Sequence, residues 1–237
     1  MQKIVPFLWY DKEAGEAARF YSSTFKDARI KSSKKLHDTP SGTVEILDIE
    51  IFGYSFHLMS AGPLFKFSPA ISFFVNCRTE EEINKLFIKL SAGGKVLMEL
   101  DKYPFSERYA FISDKFGVSW QLILANSEQK IIPSLLFVGE KEGKAESAIK
   151  FYTDVFKKSG IKSVDKYDKE KGPDGAVRYA LFSLEGQDFS AMSGGGEHKF
   201  TFNEAISFVV NCETQEEIDY YWDKLSAEPS AEQCGWL

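Results

Sequence analysis

His57 is the side chain in this 237-residue sequence with the widest chemistry open to it. An imidazole titrates near neutral pH, so it can serve as acid, base or metal ligand. Strand alternation sets Ser55, His57 and Met59 on one face. Ser72, Phe74 and Asn76 share a face of a second strand, and Ser119, Gln121 and Ile123 share a face of a third. Each face mixes polar and apolar groups, which suits a small organic ligand. A lone histidine also reads as a hydrogen-bonded structural group, and both readings stand. No Ser/His/Asp or Cys/His spacing points to a nucleophile, although such partners need not be close in sequence. Cys77 and Cys212 read as small buried hydrophobes at strand ends. Glu80 to Glu82 read as a solvated helix start with favourable dipole placement.

The elements that must carry these residues occur twice. Ala70 to Ala92 (AISFFVNCRTEEEINKLFIKLSA) returns at Ala205 to Ala227 (AISFVVNCETQEEIDYYWDKLSA), with 15 of 23 positions identical at an offset of 135. That is an internal repeat. Each copy reads as a strand and then a helix. Thr79 stands three residues before Glu82, and Thr214 three before Glu217, the spacing of a capping box. Ser72 and Asn76 recur as Ser207 and Asn211. The recurrence fits either a shared site or a strand-end hydrogen bond that both halves need.

A second pair of segments repeats as well. IVPFLWY at Ile4 to Tyr10 becomes IIPSLLF at Ile131 to Phe137, and Phe20-Tyr21 and Phe25 become Phe151-Tyr152 and Phe156. The Phe-Tyr pairs read as core. Strands follow each helix, with turns at Gly53-Tyr54, at Glu185-Gly186 and across Asp114 to Gly117. Gly194 to Gly196 reads as a linker, because it is not placed between a strand and a helix as a phosphate loop would be. The order is strand, helix, three strands, used repeatedly: an α+β chain of tandem βαβββ modules. Two domains are expected, 1–126 and 131–237, joined by the polar stretch Asn126 to Lys130.

Composition narrows the function. A net charge of −6 without a basic, aromatic-interleaved cluster disfavours nucleic acid. No apolar run of membrane-spanning length occurs, no signal peptide is seen, and three cysteines are too few for a disulfide framework. A cytoplasmic protein with reduced thiols is expected.

Three stretches, PFLWYD…EAARFYSSTF, AISFFVNC-x-T-x-EE-I…KLSAGG and DKFGVSWQ, resemble the vicinal-oxygen-chelate superfamily of glyoxalases, bleomycin-resistance proteins and extradiol dioxygenases. Within it they resemble the PhnB-like branch, whose members often carry the name 3-demethylubiquinone-9 3-methyltransferase. The resemblance covers the whole chain, twice. It implies that two βαβββ units curl into a cup with metal ligands pointing inward from four strands. Carried over, the ligand positions fall on His57 and Gln121, four residues past the hairpin glycines, while the first strands offer Ile4 or Pro6 and Ala70 or Ser72. Two weak metal candidates, His57 and Gln121, are short of a Zn²⁺ or Fe²⁺ set. No cofactor is therefore expected, with a divalent metal as the disfavoured alternative. The cup should be lined by Ser55, His57, Met59, Ser72, Phe74, Asn76 and Gln121, in the first domain.

The resulting expectation is a small-molecule-binding protein of the glyoxalase or bleomycin-resistance type, without a metal. The alternative is an enzyme of the superfamily (lyase, isomerase or dioxygenase class), metal-assisted or with His57 as acid or base. Methyl transfer is not expected, because no glycine-rich turn sits between a strand and a helix in the manner of an AdoMet site. The halves are expected to pack on each other, with a further homodimer left open. Cys234-Gly235-Trp236-Leu237 resembles the family segment that leads into a DKFGVSWQ-like hairpin, so the second domain is expected to lack its last strand. Whether the natural chain stops there is left open.

Overall fold

The computed structural model describes residues 2–39, 42–168, 175–233 and 235–237. Cys234, named above, lies outside them. The first module is β1 (Ile4–Tyr10), α1 (Ala14–Thr24), β2 (Ala28–Thr39), β3 (Gly42–Ile51) and β4 (Tyr54–Ser60). The second is β5 (Ile71–Cys77), α2 (Glu80–Ser91), β6 (Lys95–Tyr103), β7 (Ser106–Ser113) and β8 (Ser119–Leu124). The third is β9 (Ile131–Phe137), α3 (Ala145–Val155), β10 (Gly160–Lys166), β11 (Val177–Leu184) and β12 (Gln187–Ser193). The fourth begins with β13 (Ile206–Val210) and α4 (Gln215–Leu225).

Local chemistry sets these boundaries. Thr79 Oγ1 accepts from Glu82 N at 3.1 Å, and Thr214 Oγ1 from Glu217 N at 3.3 Å. Glu82 and Glu217 reach back to the N–H groups of Arg78 and Glu213, one residue before the cap rather than to the cap itself. The two module hairpins turn through Phe52-Gly53 and Glu185-Gly186, all four residues with positive φ. Such two-residue turns match the twist of the strands they join and fix their register.

The strands pair across the halves, and this corrects the expectation that each half closes its own cup. One sheet has eight strands in the order β10-β11-β12-β9-β5-β8-β7-β6, and the other has five in the order β13-β1-β4-β3-β2. β5 meets β9 antiparallel, from Ile71↔Leu135 to Val75↔Ile131. β1 meets β13 in the same way, from Ile4↔Val210 to Leu8↔Ile206. The helix-side cores follow the halves instead. Leu8, Tyr21, Phe56 and Leu58 of the first module share one cluster with Phe73, Ile83, Trp120 and Leu122 of the second. Ala145, Ile149, Phe182 and Phe189 of the third module share another with Tyr221 of the fourth. Once two modules pack back to back through their helix-covered faces, their first strands keep a bare edge. The other half fills it, so the halves are two cores bound into two common sheets.

Among the described residues the fourth module has no counterpart of β6, β7 or β8. After α4 the chain forms a 3₁₀ turn at Pro229–Ala231, and Gln233 then bridges to Trp236. Among the described residues no helix is long and apolar enough to cross a membrane.

Candidate functional site

The two concave faces present different chemistry. Across the five-stranded sheet the register aligns Ser32, Asp48, His57, Phe7 and Ser207 in one row. His57 Nδ1 donates to Asp48 Oδ1 at 2.6 Å, and Ser32 Oγ donates to the other oxygen of Asp48. Burial works against the Asp48 carboxylate, but the bonds from Ser32 and His57 prevail and hold its carboxyl below the usual range. The carboxylate accepts, so Nδ1 carries the proton and Nε2 is left without a partner among the described residues. The imidazole is oriented, and its side chain keeps 26% of its surface exposed.

Aromatic rings wall this row. Phe7 meets His57 edge to face at 5.8 Å, and Trp236 stacks on Phe7 at 5.5 Å with planes 10° apart. Trp9 meets Trp236 at 6.4 Å and Phe65 at 5.1 Å. Met59, 9% exposed, packs with Val44 and Ala61 below these rings. Ser55 lies at the start of β4, where its backbone N–H and carbonyl are both bonded by Gln2.

The eight-stranded sheet carries the other expected residues. Phe74, Tyr109 and Ile132 form the buried centre of its concave face. Beneath them Ser119, Ser72, Ser134 and Ser190 stand side by side across four strands. Tyr109 Oη donates to Gln121 Oε1 at 2.6 Å, and Gln121 Nε2 donates to Ser72 Oγ at 2.8 Å. Both ends of the Gln121 carboxamide are thus committed. Asn76 belongs to neither concave face in function: its Nδ2 donates to the Gln129 carbonyl at 2.8 Å, and Asn211 does the same to Gln2. The recurring asparagines are strand-end clamps, the second of the two readings. Cys77 is buried, and burial pushes its thiol up to about 12, which suits a structural role.

The seven expected residues therefore do not form one cup. Ser55, His57 and Met59 lie on one sheet, and Ser72, Phe74, Asn76 and Gln121 on the other. The parity of each strand holds, while the assumed neighbour does not. His57 and Gln121 cannot share an ion. At the row of His57, the positions beside it on β1 and β13 are Phe7 and Ser207. One imidazole already bonded to one carboxylate, beside a phenyl ring and a hydroxyl, does not fit the superfamily's ligand set. Among the described residues no three His, Cys, Asp or Glu side chains gather.

A cleft of about 260 Å³ opens where the halves meet, away from both concave faces. Its glutamines are spent on backbone: Gln2 on Ser55, Gln129 on Asp188 and Gln187 on Ile4. It reads as a seam rather than a site.

Asp48 was missed in the sequence, where the turn was expected one residue later, at Gly53-Tyr54. A two-residue turn at Phe52-Gly53 places position 48 opposite position 57. Tyr109 was missed as well, although the Asp114–Gly117 turn sets it one step diagonal to Gln121. Trp236 could not be found this way, since nothing local places it over Phe7.

The chain matches the family described as 3-demethylubiquinone-9 3-methyltransferase twice, over residues 2–123 and 129–237. The PhnB protein from Bacillus cereus is 38% identical over 52% of this chain and 100% of its own, with a TM-score of 0.49. Glyoxalase I from Zea mays covers 94% of this chain and 81% of its own at 14% identity, with a TM-score of 0.57. That likeness concerns the fold. No curated protein matches the chain.

Proposed function

This chain belongs to the 3-demethylubiquinone-9 3-methyltransferase family, within the vicinal-oxygen-chelate superfamily, and on that premise we propose that it binds a small organic molecule on the concave face of its five-stranded sheet. The observation that carries the reading is the Asp48–His57 pair, half exposed beside Phe7. Asp48 fixes the ring through Nδ1, so Nε2 is offered to a ligand in a set direction. Phe7, Trp9 and Trp236 give a flat apolar body surfaces to lie on, and offset or edge-on ring contacts add about 0.5–1.5 kcal/mol each. A ligand with an aromatic or other planar part and one hydrogen-bonding group fits this combination. The binding needs no metal ion, because the donor set does not fit one.

A second reading rests on the same pair. A neutral imidazole held by a carboxylate can take a proton at Nε2, with Asp48 stabilising the imidazolium formed. Acid–base catalysis at His57 is thus the enzymatic form of the proposal. Methyl transfer is no part of it. Gly94 serves a close backbone approach, since a Cβ there would meet Ser113 O at 2.2 Å.

A thermal-shift screen of planar metabolites against the protein and its His57→Ala variant tests the site. Hits should stabilise the parent and lose most of their effect on the variant. Equal stabilisation of both would place the site elsewhere. Following each hit by NMR separates the two readings: a binder leaves the compound unchanged, and an enzyme converts it. Metal analysis of the purified protein by mass spectrometry is expected to find none at stoichiometric level.

A further inference from the structure

Lys34 stands beside the Asp48–His57 pair on the same concave face. The row of Ser32, Asp48 and His57 is followed along the strands by a row of Lys34, Ile46, Met59 and Trp9. Neighbouring strands lie about 4.8 Å apart, so β2 and β4 are separated by roughly 10 Å, a gap that one small ring and a lysine arm can bridge. Ile46 and Met59 give this gap an apolar floor, and Trp9 packs with them at its far side.

Lys34 is exposed, and among the described residues it forms no ion pair. The other two cations of the face are committed. Arg29 Nη2 and Lys31 Nζ both lie on Glu50, at 2.7 and 3.2 Å. Three cations against two acids leave this face positive in a chain of net charge −6, so it attracts an anion that the rest of the surface repels. Lys34 is also felt at the pair. Burial raises the Asp48 carboxyl, the bonds from Ser32 and His57 lower it, and the charge of Lys34 lowers it further.

The third module supplies a comparison. There the row of Ser32, Asp48 and His57 becomes Ser163, Leu181 and Ser190. The position of Lys34 becomes Asp165, which accepts from Arg178. Lysines guard edge strands against pairing, and β10 carries Lys162 and Lys166 to that end. Yet it has an acid where β2 has Lys34. The cation therefore goes with the Asp48–His57 pair and not with the edge.

We propose that the ligand of the His57 face is a planar hydroxy acid, with its hydroxyl donating to His57 Nε2, its ring over Ile46 and Met59, and its carboxylate on Lys34. This rests on the reading of that face as a ligand site and names the class of ligand. Each part answers one group. Nδ1 carries the imidazole proton, so Nε2 accepts and calls for a donor, which a carboxylate alone cannot give. The ammonium calls for an anion, and its flexible stem adjusts to the anion's position. Asp48 offers the ligand no free oxygen, since Ser32 holds one and His57 the other.

Titration calorimetry on the full chain tests the proposal with 3-hydroxybenzoate, 3-hydroxybenzamide and benzoate. The hydroxy acid should bind roughly tenfold tighter than either of the others, because each of them lacks one of the two bonds. Lys34→Gln should abolish the preference over the amide and leave the amide's affinity unchanged, while Lys34→Arg keeps the preference. His57→Ala should weaken the hydroxy acid and the amide but not benzoate. Added salt should weaken the acids and spare the amide. Equal affinity for hydroxy acid and amide overturns the proposal, and so does a Lys34→Gln chain that holds the hydroxy acid as tightly as the parent. In both cases a loss on His57→Ala keeps the site itself standing. No binding of the hydroxy acid to the folded parent also overturns the proposal, whereas the site falls only when the planar screen yields no hit that depends on His57.

Discussion

Tyr21 and Asp114 form a buried polar bond between the two modules of the first half: the phenol of α1 donates to a carboxylate in the β7–β8 turn at 2.8 Å. Asp114 also accepts from Trp120 Nε1 and from the N–H groups of Phe116 and Val118. It is 3% exposed, and burial raises its carboxyl above the ordinary value in spite of these bonds. Asp114→Ala leaves a buried indole N–H and two backbone donors without their acceptor, and leaves the Tyr21 phenol with Tyr10 Oη alone. The expected cost is roughly 3–5 kcal/mol, read as a fall in denaturant midpoint. A loss below 1 kcal/mol would show that the bond is incidental.

The same carboxyl makes a pH prediction. An acid whose folded pKa is raised holds more protons folded than unfolded, so stability falls as pH rises from the ordinary Asp range through the folded value. Asp114→Asn cannot titrate. The stability of the parent relative to this variant should therefore fall as pH rises through that window, whatever the other carboxyls add to both. Parallel profiles in urea titrations across this range would rule the effect out.

Asp48 and His57 make a separate test. If Asp48 fixes the tautomer, nitrogen-15 NMR of the neutral ring should report the proton on Nδ1. In Asp48→Asn the preference should weaken or reverse, and affinity for any ligand found at His57 should fall roughly tenfold, the worth of one hydrogen bond of about 1.4 kcal/mol. An unchanged tautomer would remove Asp48 from the site.

Trp236 covers part of that site by stacking on Phe7. Trp236→Ala should open the ring row to solvent. His57 should then react faster with diethylpyrocarbonate, measured by mass spectrometry of the modified peptide. The other histidines, His37 (exposed) and His198 (half-buried), are not among the rings that meet Trp236 and should react at unchanged rates. Equal rates at His57 before and after the change would mean that Trp236 does not shield it.

How far the sequence reached follows from the range of each signal. Caps, turns and strand faces depend on residues within about ten positions, and Thr79, Gly53 and the alternation around His57 were legible. The turn expected at Gly53-Tyr54 falls one residue earlier, at Phe52-Gly53, and that single step decides that Asp48 faces His57 rather than Met59. Which strand lies beside β1 was not legible. Ile4 to Tyr10 is apolar enough for a neighbour on either edge, and its partner begins about two hundred residues later at Ile206. Alternation tells which face a residue takes but not which sheet it joins, so residues of two concave faces were assigned to one.

The repeated asparagines give the last test, because they separate a structural from a ligand-binding role. Asn76 is 5% exposed and holds the Gln129 carbonyl, while Asn211 is half-buried and holds that of Gln2. Each ties the end of one half's strand to the beginning of the other's. Asn76→Ala should cost about 1–3 kcal/mol, since its bond is made by a buried amide, and Asn211→Ala, whose amide is half-buried, should cost less. Standing after strands of different sheets and sharing no partner, the two should add in the double variant. Neither should alter ligand affinity at His57. If Asn76→Ala weakened binding there without lowering stability, the asparagine would be part of a site after all, and the assignment of the two concave faces to separate roles would have to be given up.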